Sequence, residues 1–207
     1  QSRDIISAPD ITSIYDVPGN FEKDHLGRRI LDKFGLKPRS RLGPSWRGMV
    51  RRMHAARVPV RVGIVGKYSG TGDFTLSDSY LSVIESIKHA AWASNRKPQI
   101  EWLNAQEYEK DPKAVAQLEK FDAIIVPGGF RSRGVEGKIA AIRHCRTAGI
   151  PCLGLCYGMQ LGCQILGCKL TQGESREYGR AKLSVLEGRD LFAGVPKTTT
   201  VWMSHGD

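Results

Sequence analysis

The sequence predicts an α/β protein with a mostly parallel sheet covered by helices. Three observations predict it. From Val60 onward, short runs of β-branched residues recur. Between them lie segments whose apolar residues fall at helical spacing. The two kinds of segment follow each other in the order βαβαβα, which is the pattern of parallel strands joined by covering helices.

The elements follow in order. Val60–Val65 is a strand, and Thr75–Ala93 is a helix with Leu81, Ile84, Ile87, Lys88 and Ala91 near one face. Gln99–Leu103 is a strand and Pro112–Lys120 a short helix. Asp122–Val126 is a strand closed by Pro127-Gly128-Gly129, and Gly137–Ala148 is a helix. Cys152–Leu155 is a strand and Tyr157–Leu166 a helix. After Leu170 the pattern changes to short strands, Ala181–Leu186 and Thr199–Met203. Upstream, Ile5–Pro9 and Ile14–Pro18 read as extended stretches broken by proline. Leu26, Ile30, Leu31 and Phe34 then fall at helical spacing, and Gly35 ends that helix. Residues 37–59 read as a basic linker, with a helical piece at Trp46–Arg57 between Pro44 and Pro59. The expected division is an appendage at 1–36, the linker at 37–59 and the main domain at 60–207.

Charge is local. The net charge is +10, and Lys33–Gly72 holds ten Lys/Arg with no Asp or Glu. The rest of the chain is balanced, which points away from a general nucleic-acid binder and towards a solvated segment or a phosphate contact. Trp46 among arginines fits either a base-stacking side chain or the anchor of a linker helix. The stretch Thr147–Cys168 carries no formal charge over 22 residues, but Pro151, Gln160, Gln164 and five glycines interrupt it. It reads as a strand and a helix, so no membrane association is expected. Five cysteines without a C-x-x-C pair and a polar start at Gln1–Asp10 fit free thiols in the cytoplasm and no metal site.

Chemistry concentrates at Gly154-Leu155-Cys156-Tyr157-Gly158, on a predicted strand-to-helix junction. This is the cysteine form of the nucleophile elbow: small flanking residues permit a sharp turn that lifts the nucleophile above the sheet. The following helix points its positive end at the sulfur, which suits an attacking thiolate. Cys145, Cys152, Cys163 and Cys168 lack that context and read as buried structural cysteines. Pro127-Gly128-Gly129 is either an ordinary tight turn or a loop whose N–H groups face a ligand at the carboxyl edge of the sheet. In the second case Gly129 and Tyr157 supply the two N–H donors of an oxyanion hole. Gly63–Gly72 is not a phosphate-binding P-loop, because Arg61 and Tyr68 stand where glycine and Ser or Thr are required. His89 and His144 lie within helical segments and read as core or surface residues.

These motifs resemble class I glutamine amidotransferases. Residues 5–149 are similar to CTP synthase: Ile6–Asp10 and Ser13–Pro18 resemble the end of its synthetase domain. Val65–Tyr68, Asp78–Glu85, Asp122–Phe130 and Arg133–Ile139 resemble its glutaminase domain. Residues 150–207 are similar to the amidotransferase domain of GMP synthetase, through Leu155–Leu161, Gly173–Ala181 and Val201–Asp207. The resemblance implies a flavodoxin-like three-layer sandwich, with residues 1–36 a remnant of a synthetase domain. It implies Cys156 as the nucleophile and Gly129 and Tyr157 as oxyanion donors. Gly128, Gln160, Ser204 and His205 would bind glutamine, and Arg131 and Arg133 would face a regulatory nucleotide. The implied reaction is glutamine hydrolysis supplying ammonia for UTP amination to CTP, or in GMP synthetase for XMP amination. A non-catalytic glutamine-binding module is the third reading, because the family's His-x-Glu does not occur in the sequence. The expectation is therefore little or no glutaminase activity from these residues alone. The implied partners are L-glutamine and a synthetase domain that accepts ammonia, in a homo-oligomeric parent. No cofactor is expected here, with ATP and Mg in the parent.

Overall fold

A computed structural model of the chain describes residues 5–39, 43–66, 80–129, 134–171 and 177–205. The chain divides into two compact units, residues 1–165 and 166–207.

The first unit holds a four-stranded parallel sheet of β1 (Val58–Gly66), β2 (Arg96–Asn104), β3 (Ala123–Val126) and β4 (Cys152–Gly154), in the order β2-β1-β3-β4. β1 is central, and Val62–Gly66 is buried without interruption, as a strand covered on both faces requires. β2 is longer than expected and includes Pro98, which a sheet edge tolerates because one side of an edge strand needs no ladder donor.

Alternation along the strands sorts side chains into two cores. On one face, Val65, Leu103, Ile124 and Val126 pack with Tyr108, Leu118, Ile142, Cys145 and Leu161. That face is covered by α5 (Ala105–Lys110), a 3-10 helix at Pro112–Lys120, α6 (Val135–Ala148) and α7 (Tyr157–Ile165). On the other face, Val62 and Ile64 pack with Ile87, joined by Val60, Ile84, Ile100, Trp102 and Ile125, under α4 (Leu81–Ala93). The expected three-layer α/β arrangement is therefore present. α5 is an addition to the sequence reading: Asn104 accepts from Gln106 N–H at 3.0 Å and starts a helix directly off β2. The first part of the expected helix 75–93 lies outside the described residues. The uncharged stretch 147–168 forms β4 and α7, and among the described residues no helix is long and apolar enough to cross a membrane.

The amino-terminal segment differs from expectation. Ile14–Pro18 is not extended. Ile14–Asp16 is a 3-10 turn that runs into α1 (Val17–Lys23), followed by α2 (Leu26–Lys33), which ends at Gly35 with φ 62°. Ser13 starts the turn by accepting from Tyr15 N–H at 3.3 Å, and Pro18 sits in the first turn of α1, where its missing N–H costs nothing. The basic helical piece is α3 (Pro44–Ala55). One of its faces is packed, not solvated: Trp46, Met49, Val50 and Met53 cluster with Tyr15, Ala56 and Trp92 of α4. Its arginines project from the other side, with Arg47, Arg51 and Arg52 exposed.

The second unit is an antiparallel ribbon of β5 (Glu177–Ser184) and β6 (Thr198–His205), paired from Glu177 with His205 to Ser184 with Thr198. Its strands are longer than the two expected runs.

Candidate active site

Two loops at the carboxyl edge of the sheet build the site. One follows β3 and carries Gly128 and Gly129; the other follows β4 and carries Cys156. They come together because β3 and β4 are adjacent and parallel, with Val126 opposite Gly154.

Cys156 adopts φ 53°, the left-handed region that a non-glycine residue rarely occupies. Such strain is held only where the surroundings dictate it. Here Leu155 N–H donates to Val126 O at 3.0 Å, and Gly158 N–H donates to Leu155 O at 3.0 Å. Met159 and Gln160 N–H then donate to Cys156 O at 2.9 and 3.2 Å, starting α7. The flanking glycines are dictated by space. A Cβ on Gly158 would lie 1.9 Å from Val126 O, and one on Gly154 would lie 2.5 Å from Gly158 O. The Cys156 side chain is exposed.

The glycine loop lies against the elbow. A Cβ on Gly128 would approach Cys156 Cβ and Sγ at 3.1 Å and Tyr157 N at 3.8 Å. Gly128, Cys156 and the Tyr157 N–H thus share one small space, with Gly129 next in the chain. Gln160 follows on α7, half-buried. Ser204 and His205 belong to β6 of the second unit, where their backbone pairs with Tyr178 and Glu177. Their side chains, and Arg131 and Arg133, lie outside the described residues.

Two residues that the sequence reading passed over also meet the glycine loop. Lys138, on the first turns of α6, is 2% exposed. Its Nζ donates to Pro127 O at 2.7 Å and to Gly128 O at 2.9 Å. Tyr80 Oη donates to the same Gly128 oxygen at 3.0 Å. A faint signal for Lys138 exists in the sequence. A cation near a helix N-terminus opposes the helix dipole, and such local conflicts often mark functional positions.

Of the four cysteines expected to be buried, Cys145 is, Cys163 is half-buried, and Cys152 and Cys168 are exposed. Cys145 is fully buried, and its hydrogen bond with Cys152, together with burial, pushes its thiol up. Cys152 is exposed, and the bond from Cys145 holds its thiol below the ordinary value. His89 lies 2.7 Å from Tyr15 Oη and His144 lies 3.2 Å from Glu119, so both have structural neighbours.

The family model described as glutamine amidotransferase class-I matches residues 75–207. This chain belongs to the class I glutamine amidotransferase family. It is 42% identical over 180 residues to CTP synthase of Synechococcus sp. strain JA-3-3Ab, covering 84% of this chain and 31% of that one. It is 43% identical over 162 residues to CTP synthase of Microcystis aeruginosa, covering 78% of this chain and 28% of that one. The chain thus spans less than a third of the length of these relatives. A share of 84% exceeds what residues 5–149 alone supply, so the likeness to CTP synthase continues past residue 149. Among solved structures, the Trypanosoma brucei CTP synthase glutaminase domain with bound acivicin shares the fold. The TM-score is 0.58 at 24% identity, over 71% of this chain and 67% of that one. A GMP synthase component from Thermoplasma acidophilum also shares it, with a TM-score of 0.53 at 18% identity, over 72% of this chain and 66% of that one.

Proposed function

We propose that this chain is the amidotransferase part of an enzyme that hydrolyses glutamine to supply ammonia for a CTP synthase-type amination of UTP. The Cys156 thiolate attacks the side-chain amide carbon of L-glutamine. The carbonyl electron pair moves onto oxygen, where the Gly129 and Tyr157 N–H groups stabilise it. Collapse of that adduct breaks the C–N bond. Nitrogen takes a proton from solvent water and leaves as ammonia, and a γ-glutamyl thioester stays on Cys156. Water then cleaves the thioester, releasing glutamate and restoring the thiol. Gly128, Gln160, Ser204 and His205 are assigned to glutamine binding. A synthetase domain, with ATP and Mg, is assigned as the consumer of ammonia.

The observation that carries this reading is the left-handed elbow at Cys156, seated against the Gly128 loop. Acivicin tests it, because a cysteine at this site displaces the chloride from that glutamine-like electrophile. We expect one adduct, at Cys156 by peptide mass spectrometry, with L-glutamine slowing its formation. Iodoacetamide should also label exposed Cys152, but glutamine should not protect that residue. Acivicin labelling spread over Cys152, Cys163 and Cys168, or indifferent to glutamine, would exclude the assignment.

A further inference from the structure

We infer that Lys138 is a positioning residue that sets the oxyanion donor of the glycine loop, with Tyr80 as its second clamp. The inference rests on the amidotransferase reading above and extends it to residues that never touch the substrate. In a trans peptide, the carbonyl oxygen of one residue and the N–H of the next point to opposite sides. The described peptides include no cis bond. The Gly128 oxygen is held by Lys138 Nζ at 2.9 Å and by Tyr80 Oη at 3.0 Å. Holding that oxygen fixes the direction of the Gly129 N–H, which is the donor assigned to the oxyanion. Lys138 also holds the Pro127 oxygen at 2.7 Å, which fixes the Gly128 N–H in the same way. Two successive peptide planes are therefore locked by one buried side chain.

The lock is needed because glycine has no Cβ to limit its backbone, so two adjacent glycines rotate freely unless something outside the loop restrains them. An oxyanion donor that must reorient during reaction loses most of its value, since preorganisation is what makes it effective. The placement of Lys138 is itself built in. Its neighbour Gly137 lets α6 press against the start of α5, where a Cβ would fall 1.7 Å from Ala105 O. That contact holds the first turns of α6 close to the sheet and directs Lys138 inward under the loop.

The test compares two electrophiles on Cys156. A glutamine-derived chloromethyl ketone is attacked at its carbonyl to give a tetrahedral adduct with an oxyanion; the sulfur then bonds the chloromethyl carbon, chloride leaves, the carbonyl re-forms and a thioether remains. Iodoacetamide is attacked at carbon with loss of iodide and develops none. The readout is the ratio of the two rates at Cys156, by site-resolved mass spectrometry on the full chain. Lys138→Met keeps the side-chain volume and removes the donor. It should lower the ratio about tenfold, a fraction of the ~10²–10³ that follows loss of a donor itself. The iodoacetamide rate should stay within about twofold, since a purely structural loss would move both rates together. Tyr80→Phe removes one of two donors to the Gly128 oxygen and should lower the ratio about threefold, on the same scale. It carries the test if Lys138→Met fails to fold by circular dichroism. An unchanged ratio in the folded variants, or a parallel fall in both rates, would overturn the inference while leaving the amidotransferase reading intact. If the native chain itself showed no preference for the chloromethyl ketone, the reading and the inference would fall together.

Discussion

At Cys156 the left-handed backbone, the two flanking glycines and the hydrogen bond from Leu155 N–H to Val126 O form one device. The glycines at 154 and 158 were visible in the sequence as a motif, but their reason is steric and lies in the neighbouring strand. This distinguishes Gly158 from Gly162 on the same helix, because nothing lies within 4 Å of a Cβ built on Gly162. Gly158→Ala should cost about 3 kcal/mol, as overpacking against backbone does. Gly162→Ala should instead stabilise by about 0.8 kcal/mol through helix propensity. Thermal denaturation should show the two melting temperatures moving in opposite directions. A fall for Gly162→Ala would mean that open space at that position had been misjudged.

At the scale of elements, the amino-terminal turn, α3 and α4 are joined by Tyr15. Its ring lies 5.7 Å from Trp46 and 5.0 Å from Trp92, centroid to centroid, and Trp46 Nε1 donates to Tyr15 O at 3.2 Å. The Tyr15 hydroxyl donates to Glu85, and Lys88 pairs with the same carboxylate at 2.6 Å. Burial, then the bond to Glu85, pushes the Tyr15 phenol from 10.0 up to about 12. Burial works against the Glu85 carboxylate, but the bonds from Lys88 and Tyr15 hold it below its ordinary value. The signs follow by linkage. Below pH 10.0 the Tyr15 contribution is fully present; as pH rises towards about 12 the unfolded tyrosine ionises first and the contribution is lost. The Glu85 contribution is present at neutral pH and is lost on acidification through its lowered value. Urea midpoints at pH 9 and 11.5 should therefore fall further in the native chain than in Tyr15→Phe. An equal fall would remove Tyr15 from the explanation. The same packing predicts a protease pattern. Trypsin should cut at exposed Arg39 before the arginines of α3, and Trp46→Ala should expose Arg47, Arg51 and Arg52 to early cleavage.

For the whole molecule, the two units have unequal means of standing alone. Residues 1–165 contain both faces of the sheet and the three apolar clusters found among the described residues. Residues 166–207 contain a two-stranded ribbon, in which Val185 is buried at 8% exposure while Leu186, Leu191 and Trp202 are exposed. A two-stranded ribbon alone is marginal in water. Expressed separately, residues 1–165 should unfold cooperatively by circular dichroism, and residues 166–207 should show no transition. A sharp transition in the shorter piece would mean that its stability has a source other than the ribbon.

The α/β class, the strand at β1, the helices at α6 and α7, the elbow at Cys156 and the family were all legible in the sequence. Each of these rests on local pattern: β-branched runs, helical spacing, and glycines at fixed offsets from one cysteine. Pairing was not legible, because the β2-β1-β3-β4 order depends on contacts between residues far apart in the chain. The extended reading of Ile14–Pro18 failed for the same reason, since a buried partner for Tyr15 favours a turn that proline alone does not reveal. α5 was missed because its six residues are too short to show a period. Nothing in the sequence singles out Lys138 for burial. Only the tertiary structure buries it, because the carbonyls it holds lie on a loop that follows a different element of the chain.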